Sequence, residues 1–344
     1  MIQLQDLTRF GKRLKESARA TARALTLLTG ATPHQVVARR GPARLRYYAP
    51  QGEGPARTPV LLVTPIINRF RVVDLQEGTS LVQSLCEAGI PVYVVDWGQP
   101  ARIDAGTDWE DYALKTLPRF RRAIPHEGPI DLVGYCLGGT ISILYAASFP
   151  SQVRKLVTLN TPVDFHCQEP HMDLLGTWVQ PEAFPVDRLT EAFGNMPFGL
   201  ISQGFNWQRP TGTAQKFTKA FQRSDERAFA NYFTVLESWN QDGVDVPGAA
   251  YRRLIKDLYR ENRLYLGTFR LRGRVVDLGR ISCPVLVVTS KHDTTAPPAS
   301  ARALLERVSG PGEELALKGG HLGAIVGQKA PGRLHAPLAE WLER

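Results

Sequence analysis

The chain has no apolar run approaching the roughly 20 residues needed to cross a bilayer, so no transmembrane segment is expected. Cysteine is scarce: Cys86, Cys136, Cys167 and Cys283 are the only four. None forms a CxxC pair, which excludes zinc-ribbon and thioredoxin chemistry. Four dispersed thiols in 344 residues fit a reducing cytoplasm rather than a disulfide framework. The first residues, "MIQLQDLTRFGKRLKESARATARALTLLTG", lack an apolar h-region and a small-residue cleavage site, so they are not a secretory signal. Internal repeats and low-complexity tracts are missing, as are zinc-finger, helix-turn-helix and RNA-binding signatures. The net charge of +9 comes from scattered arginines rather than a basic stripe. It reads as a solvated surface, or one suited to a phosphate-bearing small substrate, and not as a nucleic-acid interface.

What is present is an ordinary globular composition, 43% hydrophobic and 22% charged, with length enough for one large domain or for a core plus an inserted lobe. Residues Leu4–Leu28 form a basic amphipathic pattern, expected as a helix packed on the protein's own core or on an anionic surface. From Ala43 strand-like and helix-like runs alternate. "ARLRYYAP", "TPVLLVTPI", "IPVYVVDWG", "IDLVGYC" and "VRKLVTLNTP" read as strands. "SLVQSLCEAG", "DWEDYALKTLPRFRRAI" and "GGTISILYAASFP" read as helices. Near-continuous Val/Ile/Leu strands between helices indicate a mostly parallel, doubly wound α/β sheet covered on both faces. The alternation pauses between about His166 and Arg272, where Phe, Trp, Gln and Arg dominate, and resumes at "CPVLVVTS". The expected organisation is therefore an N-terminal helical segment (1–40), a first core part (41–165), a helical cap (166–272) and a second core part (273–344).

The segment "GYCLGGT" places Cys136 where a strand hands over to a helix. This strand–GxCxGG–helix pattern matches a nucleophile elbow with cysteine in place of serine. Gly134 and Gly138 leave room for the turn. The helix N-terminus offers N–H groups to an oxyanion and lowers a thiol pKa. An elbow of this kind takes its acid and its base later in the chain, in that order. "VLVVTSKHD" puts Asp293 after a late strand, and "LALKGGHLG" puts His321 in a glycine-rich loop after the last one. His292 neighbours Asp293 but adjacent side chains rarely aim at one point. Asp96 ends a strand too early and reads as a structural acceptor. His166 and Cys167 read as loop residues near the pocket. Backbone N–H groups of Leu137 and of Ile67, in "VTPIINRF", are the candidate oxyanion donors.

Further segments carry a resemblance. "NRFRVVDLQEGTSLVQSLCEAGIPVYVVDWG", "GYCLGGTISILYAASFP", "LVTLNTPVDF", "LESWNQD", "LIKDLYRENRL", "ISCPVLVVTSKHDTTAPPAS" and "GGHLGAIVG" together resemble a polyhydroxyalkanoate synthase, closest to the short catalytic subunit of the class III, two-subunit enzymes. The likeness runs from about Pro59 to the C-terminus. It implies an α/β-hydrolase fold with an inserted helical cap, and a Cys136–His321–Asp293 triad. It further implies an acyltransferase that needs no cofactor and turns an (R)-3-hydroxyacyl-CoA thioester into polyester with release of CoA. A growing polyester chain, a granule surface, an accessory subunit and a homodimeric or hetero-oligomeric state are implied as partners, in the cytoplasm. Attack by a thiolate exchanges one thioester for another and keeps the acyl group activated. Water must then be excluded, a task for cap aromatics such as Trp207, Phe217, Phe221, Phe229, Tyr232, Phe233 and Trp239 unless they merely pack the core. One position departs from the family: the residue after the acid is Thr294, where histidine is usual. A cysteine hydrolase of the dienelactone hydrolase type shares the elbow but is shorter and lacks the cap. A granule-associated binding protein with an impaired site is the third reading.

Overall fold

The computed structural model describes residues 32–52, 57–207 and 227–344. The amphipathic pattern of Leu4–Leu28 lies outside them, as do Phe217 and Phe221 and the side chains of Trp207 and Tyr232.

An eight-stranded sheet forms the centre, in the order β1-β2-β4-β3-β5-β6-β11-β12. Strands β3 (Val60–Val63), β4 (Val92–Asp96), β5 (Ile130–Tyr135), β6 (Val153–Leu159), β11 (Val285–Ser290) and β12 (Gly312–Leu317) run parallel. β2 (Ala43–Tyr48) pairs antiparallel with β4, and β1 (Gln35–Arg40) antiparallel with β2 at the edge. The β3, β4, β5 and β11 side chains are all buried, as expected where helices cover both faces. β1 corrects the expected boundary: residues 35–40, assigned from the sequence to the N-terminal helical segment, are a strand of the sheet.

Helices α1 (Leu81–Glu87), α2 (Leu117–Arg122) and α3 (Leu137–Ser148) follow the early parallel strands. Ser80 caps α1 by accepting from the Gln83 N–H, and Gly89 ends the turn at φ +76°. Every residue of α3 from Leu137 to Ala147 is buried, which explains its continuous apolar sequence. Its Ser142 and Ser148 hydroxyls donate to carbonyls one turn back. The chain passes from β3 outward to β4 on one side, and through β5, β6, β11 and β12 on the other. The carboxyl ends of β3 and β5 therefore flank a topological switch point, where α/β sheets open a crevice.

The inserted segment contributes α4 (Pro170–Trp178), α5 (Val186–Phe193), α6 (Phe198–Trp207), α7 (Arg227–Gln241) and α8 (Gly248–Arg253), the last running into a π-helical stretch, Leu254–Arg260. It also holds two-residue strand pairs that the sequence reading did not contain: β7 (Asn195–Met196) with β8 (Val246–Pro247), and β9 (Arg270–Leu271) with β10 (Arg274–Val275). The second hairpin straddles the expected boundary at 272. Arg69 and Arg71 pair with Asp242, the Trp109 indole donates to the Ala250 carbonyl, and Asn262 accepts from the Phe165 N–H while donating to Asp164. The quoted landmarks "NRF", "WNQD", "TPVDF" and "ENRL" are thus the residues that pin the cap to the sheet. Among the described residues, no helix is long and apolar enough to cross a membrane. The sheet is completed by α9 (Pro298–Arg302), α10 (Gly323–Val326) and α11 (Ala336–Glu343).

Candidate active site

Cys136 follows β5 directly and precedes the first residue of α3, with φ +54° and ψ −127°. A non-glycine residue there stores about 1–3 kcal/mol of strain, held by its surroundings. The Cys136 N–H donates to the Leu159 carbonyl at 2.9 Å, and its carbonyl accepts from Gly139 at 2.9 Å and Thr140 at 3.3 Å. The glycines permit close approach. A Cβ on Gly138 would stand 2.2 Å from the Val63 carbonyl oxygen, one on Gly139 1.8 Å from Thr161 Oγ1, and one on Gly134 2.4 Å from the Gly139 Cα. The elbow is therefore wedged between the ends of β3 and β6.

Asp293 lies just past β11 and is buried. Its Oδ1 accepts from the Thr295 and Ala296 N–H groups at 2.8 and 2.9 Å, and its Oδ2 accepts from His321 Nδ1 at 2.7 Å. Since a carboxylate only accepts, Nδ1 carries the proton. Cys136 lies close enough to the same imidazole to act on its charge. The structure thus brings Cys136, His321 and Asp293 together from three separate strand ends. Burial alone pushes the His321 imidazole down. The interactions with Asp293, and after it with Cys136, outweigh burial and raise the group to about 10.

The other residues weighed in the sequence lie apart. The His292 side chain is exposed, and its N–H donates to the Gly319 carbonyl at 2.9 Å. Asp96 accepts from Arg46 at 2.7 Å and from the Gly98 N–H at 3.1 Å, a structural role. His166 bonds the Tyr259 carbonyl at 2.9 Å, and Cys167 is buried, its thiol pushed up to about 11 by burial. Cys86 is likewise buried and pushed up to about 12, again chiefly by burial. In the cap, Trp239 is buried and donates to the Arg69 carbonyl, so it packs and anchors. Leu137 opens α3, and its N–H therefore has no intrahelical acceptor. Ile67 sits in the buried loop after β3, its carbonyl accepting from Val244 at 3.1 Å. That loop is fixed by the Thr64 hydroxyl on the Val95 carbonyl and the Trp97 indole on the Thr64 carbonyl.

Three residues near the site escaped the sequence reading. Asn160 Nδ2 and the Tyr135 hydroxyl both donate to the His321 carbonyl, at 2.7 and 3.3 Å. The third is the cap residue Tyr259, whose phenol is held up by burial first and by Cys136 second. The one signal available was Asn160 itself, a lone amide closing the apolar strand "LVTL".

Residues 59–328 match a family model for the alpha/beta hydrolase fold, and residues 3–85 match one for the N-terminus of poly-beta-hydroxybutyrate polymerase. The second match carries the likeness back from Pro59 to the start of the chain. The chain is 33% identical to the poly(3-hydroxyalkanoate) polymerase subunit PhaC of Allochromatium vinosum, covering 98% of this chain and 96% of that one. It is 32% identical to the corresponding subunit of Haloferax mediterranei, covering 91% of this chain and 64% of that longer one. Among solved structures, a thermophilic esterase from Thermogutta terrifontis superposes with a TM-score of 0.54 at 17% identity, covering 91% of this chain and 98% of that one. A likeness this distant speaks for the fold.

Proposed function

The chain belongs to the poly(3-hydroxyalkanoate) polymerase family on the α/β-hydrolase fold, and from that premise we propose that it polymerises (R)-3-hydroxyacyl-CoA through a covalent Cys136 acyl-enzyme. The observation that carries this reading is one imidazole, His321, hydrogen-bonded to a buried carboxylate at 2.7 Å and influenced by the cysteine of a strained strand-to-helix elbow. In this reading His321 takes the thiol proton of Cys136. The thiolate attacks the thioester carbonyl, the bond to the CoA sulfur breaks, and the imidazolium proton leaves with CoA as its thiol. Neutral His321 then takes the proton of a 3-hydroxyl, whose oxygen attacks the acyl thioester to make the ester bond; the bond from the acyl carbon to Cys136 Sγ breaks, and the sulfur leaves as thiolate beside the protonated imidazole, ready for the next thioester. Asp293 orients the ring and stabilises its charged form. The N–H groups of Leu137 and Ile67 hold the oxyanion. No cofactor is needed for these steps. The cap keeps water from the acyl-enzyme, which would otherwise hydrolyse.

The same family reading makes this chain a catalytic subunit that works with an accessory subunit or a second copy, at the surface of the polyester granule in the cytoplasm. Incubation with (R)-3-hydroxybutyryl-CoA, alone and with an accessory subunit, should release CoA and yield an insoluble ester. Stoichiometric soluble 3-hydroxybutyrate under both conditions would instead mark a hydrolase.

A further inference from the structure

Beside the loop that carries His321 lies a cavity of about 290 Å³ lined by Lys318, Lys329, Arg333, Gln328, Gly323 and Phe229, and by no carboxylate. Lys318 stands between β12 and His321. Lys329 comes from the turn after α10 and Arg333 from the π-helical stretch Pro331–His335 that follows, where the Arg333 N–H donates to the Lys329 carbonyl at 3.2 Å, so the two residues stand one turn apart. All three cations are exposed, and among the described residues none forms an ion pair. The arginines that hold the fold are matched: Arg46 with Asp96, Arg154 with Asp131, Arg253 with Asp257. Three unmatched like charges around one concavity repel each other unless an anion sits between them. Phe229, from α7 of the cap, adds an aromatic wall suited to a nucleobase. Gly323, two residues past His321, has nothing within 4 Å of where a Cβ would stand, so the wall is open on the side of that loop.

We propose that this cavity is the phosphate subsite for the nucleotide end of the thioester substrate, with Lys318, Lys329 and Arg333 as its ligands. The inference rests on the polymerase reading for its substrate, but the site can be tested without turnover. The full chain carrying Cys136→Ala is titrated by calorimetry with adenosine 3′,5′-diphosphate and, separately, with inorganic pyrophosphate, at low and high salt. The nucleotide should bind, with affinity lowered about tenfold by Lys329→Ala or Arg333→Ala and lowered further by salt. With Cys136 intact, the ratio of kcat/KM for 3-hydroxybutyryl-CoA to that for its N-acetylcysteamine thioester, which has no nucleotide, should fall by the same factor. A ratio unchanged in both variants overturns the proposal, as does failure of the nucleotide to bind. Equal binding of pyrophosphate and nucleotide that ignores the variants marks a diffuse basic surface and also overturns it. Nucleotide binding that responds to the variants, without turnover of any thioester, would keep the subsite and remove the polymerase reading.

Discussion

Asn160 donates its side-chain amide to the main-chain carbonyl of His321 at 2.7 Å, while its own amide oxygen accepts the Ser290 hydroxyl at 2.9 Å. Asn160 and Ser290 are buried. The chain enters the loop after β6 through Asn160 at φ +44°, a conformation asparagine tolerates better than most residues. The amide thus ties the ends of β6 and β11 to the loop bearing the imidazole. Asn160→Asp keeps the shape but turns a donor into an acceptor facing a carbonyl oxygen. It should lower kcat about 10- to 100-fold with little change in KM, since small misplacement of a reacting group is costly. A variant that loses thermal stability yet keeps kcat would show that Asn160 is structural only.

The state of His321 sets a pH dependence with a definite sign. Burial opposes its charge, but Asp293 and Cys136 prevail and lift it from 6.5 to about 10. A group raised on folding contributes stability fully below its unfolded pKa, and loses that contribution as pH climbs through the folded value. The unfolding free energy of the native chain relative to His321→Gln, measured in urea, should therefore shrink between pH 6.5 and about 10. Removing either group should lower the imidazole pKa, so Cys136→Ala and Asp293→Asn should each titrate lower by NMR. A difference that grows with pH would reverse the assignment.

The four cysteines should separate cleanly. Cys136→Ala should abolish CoA release while the fold persists, because it removes the proposed nucleophile at the elbow. Cys86 is fully buried in α1, and Cys86→Ala should cost about 1–2 kcal/mol of stability for the lost packing and leave turnover per folded molecule intact. Substantial CoA release from Cys136→Ala, followed with a thiol reagent, would end the acyl-enzyme mechanism.

Much of this arrangement was legible in the sequence, for identifiable reasons. Parallel strands buried on both faces read as unbroken apolar runs, so β3 to β6 and β11 stood out. An elbow nucleophile followed by acid and base has few places to draw from, so chain order led to Cys136, Asp293 and His321, of which the last two are hydrogen-bonded at 2.7 Å. β1 was missed because "QVVARR" is a short edge strand with exposed side chains and two terminal arginines, and so carries no burial pattern. The two-residue strand pairs of the cap are too short for any periodicity. Asn160 was missed because its role lies in a tertiary contact with a backbone carbonyl 161 residues away, which no local pattern encodes.

Gly139 tests the elbow's geometry apart from its chemistry. It sits in the first turn of α3, where alanine would normally favour the helix by about 1 kcal/mol. Here its Cβ would lie 1.8 Å from Thr161 Oγ1 and 2.7 Å from both Thr161 Cβ and Cγ2. Thr161 is buried, its hydroxyl donating to the Leu159 carbonyl, so it has little freedom to withdraw. The clash should exceed the helical gain, and Gly139→Ala should destabilise the protein by about 1–3 kcal/mol. Because the Gly139 N–H bonds the Cys136 carbonyl, any retreat of α3 from β6 also drags the thiol from His321, and CoA release per folded molecule should fall. Adding Thr161→Ala removes the Oγ1 and Cγ2 contacts but leaves the one at Cβ. The double variant should therefore recover part of both the stability and the rate, a coupling that a double-mutant cycle reads directly. Strict additivity in that cycle would mean that the wedge between α3 and β6 does not set the position of the nucleophile.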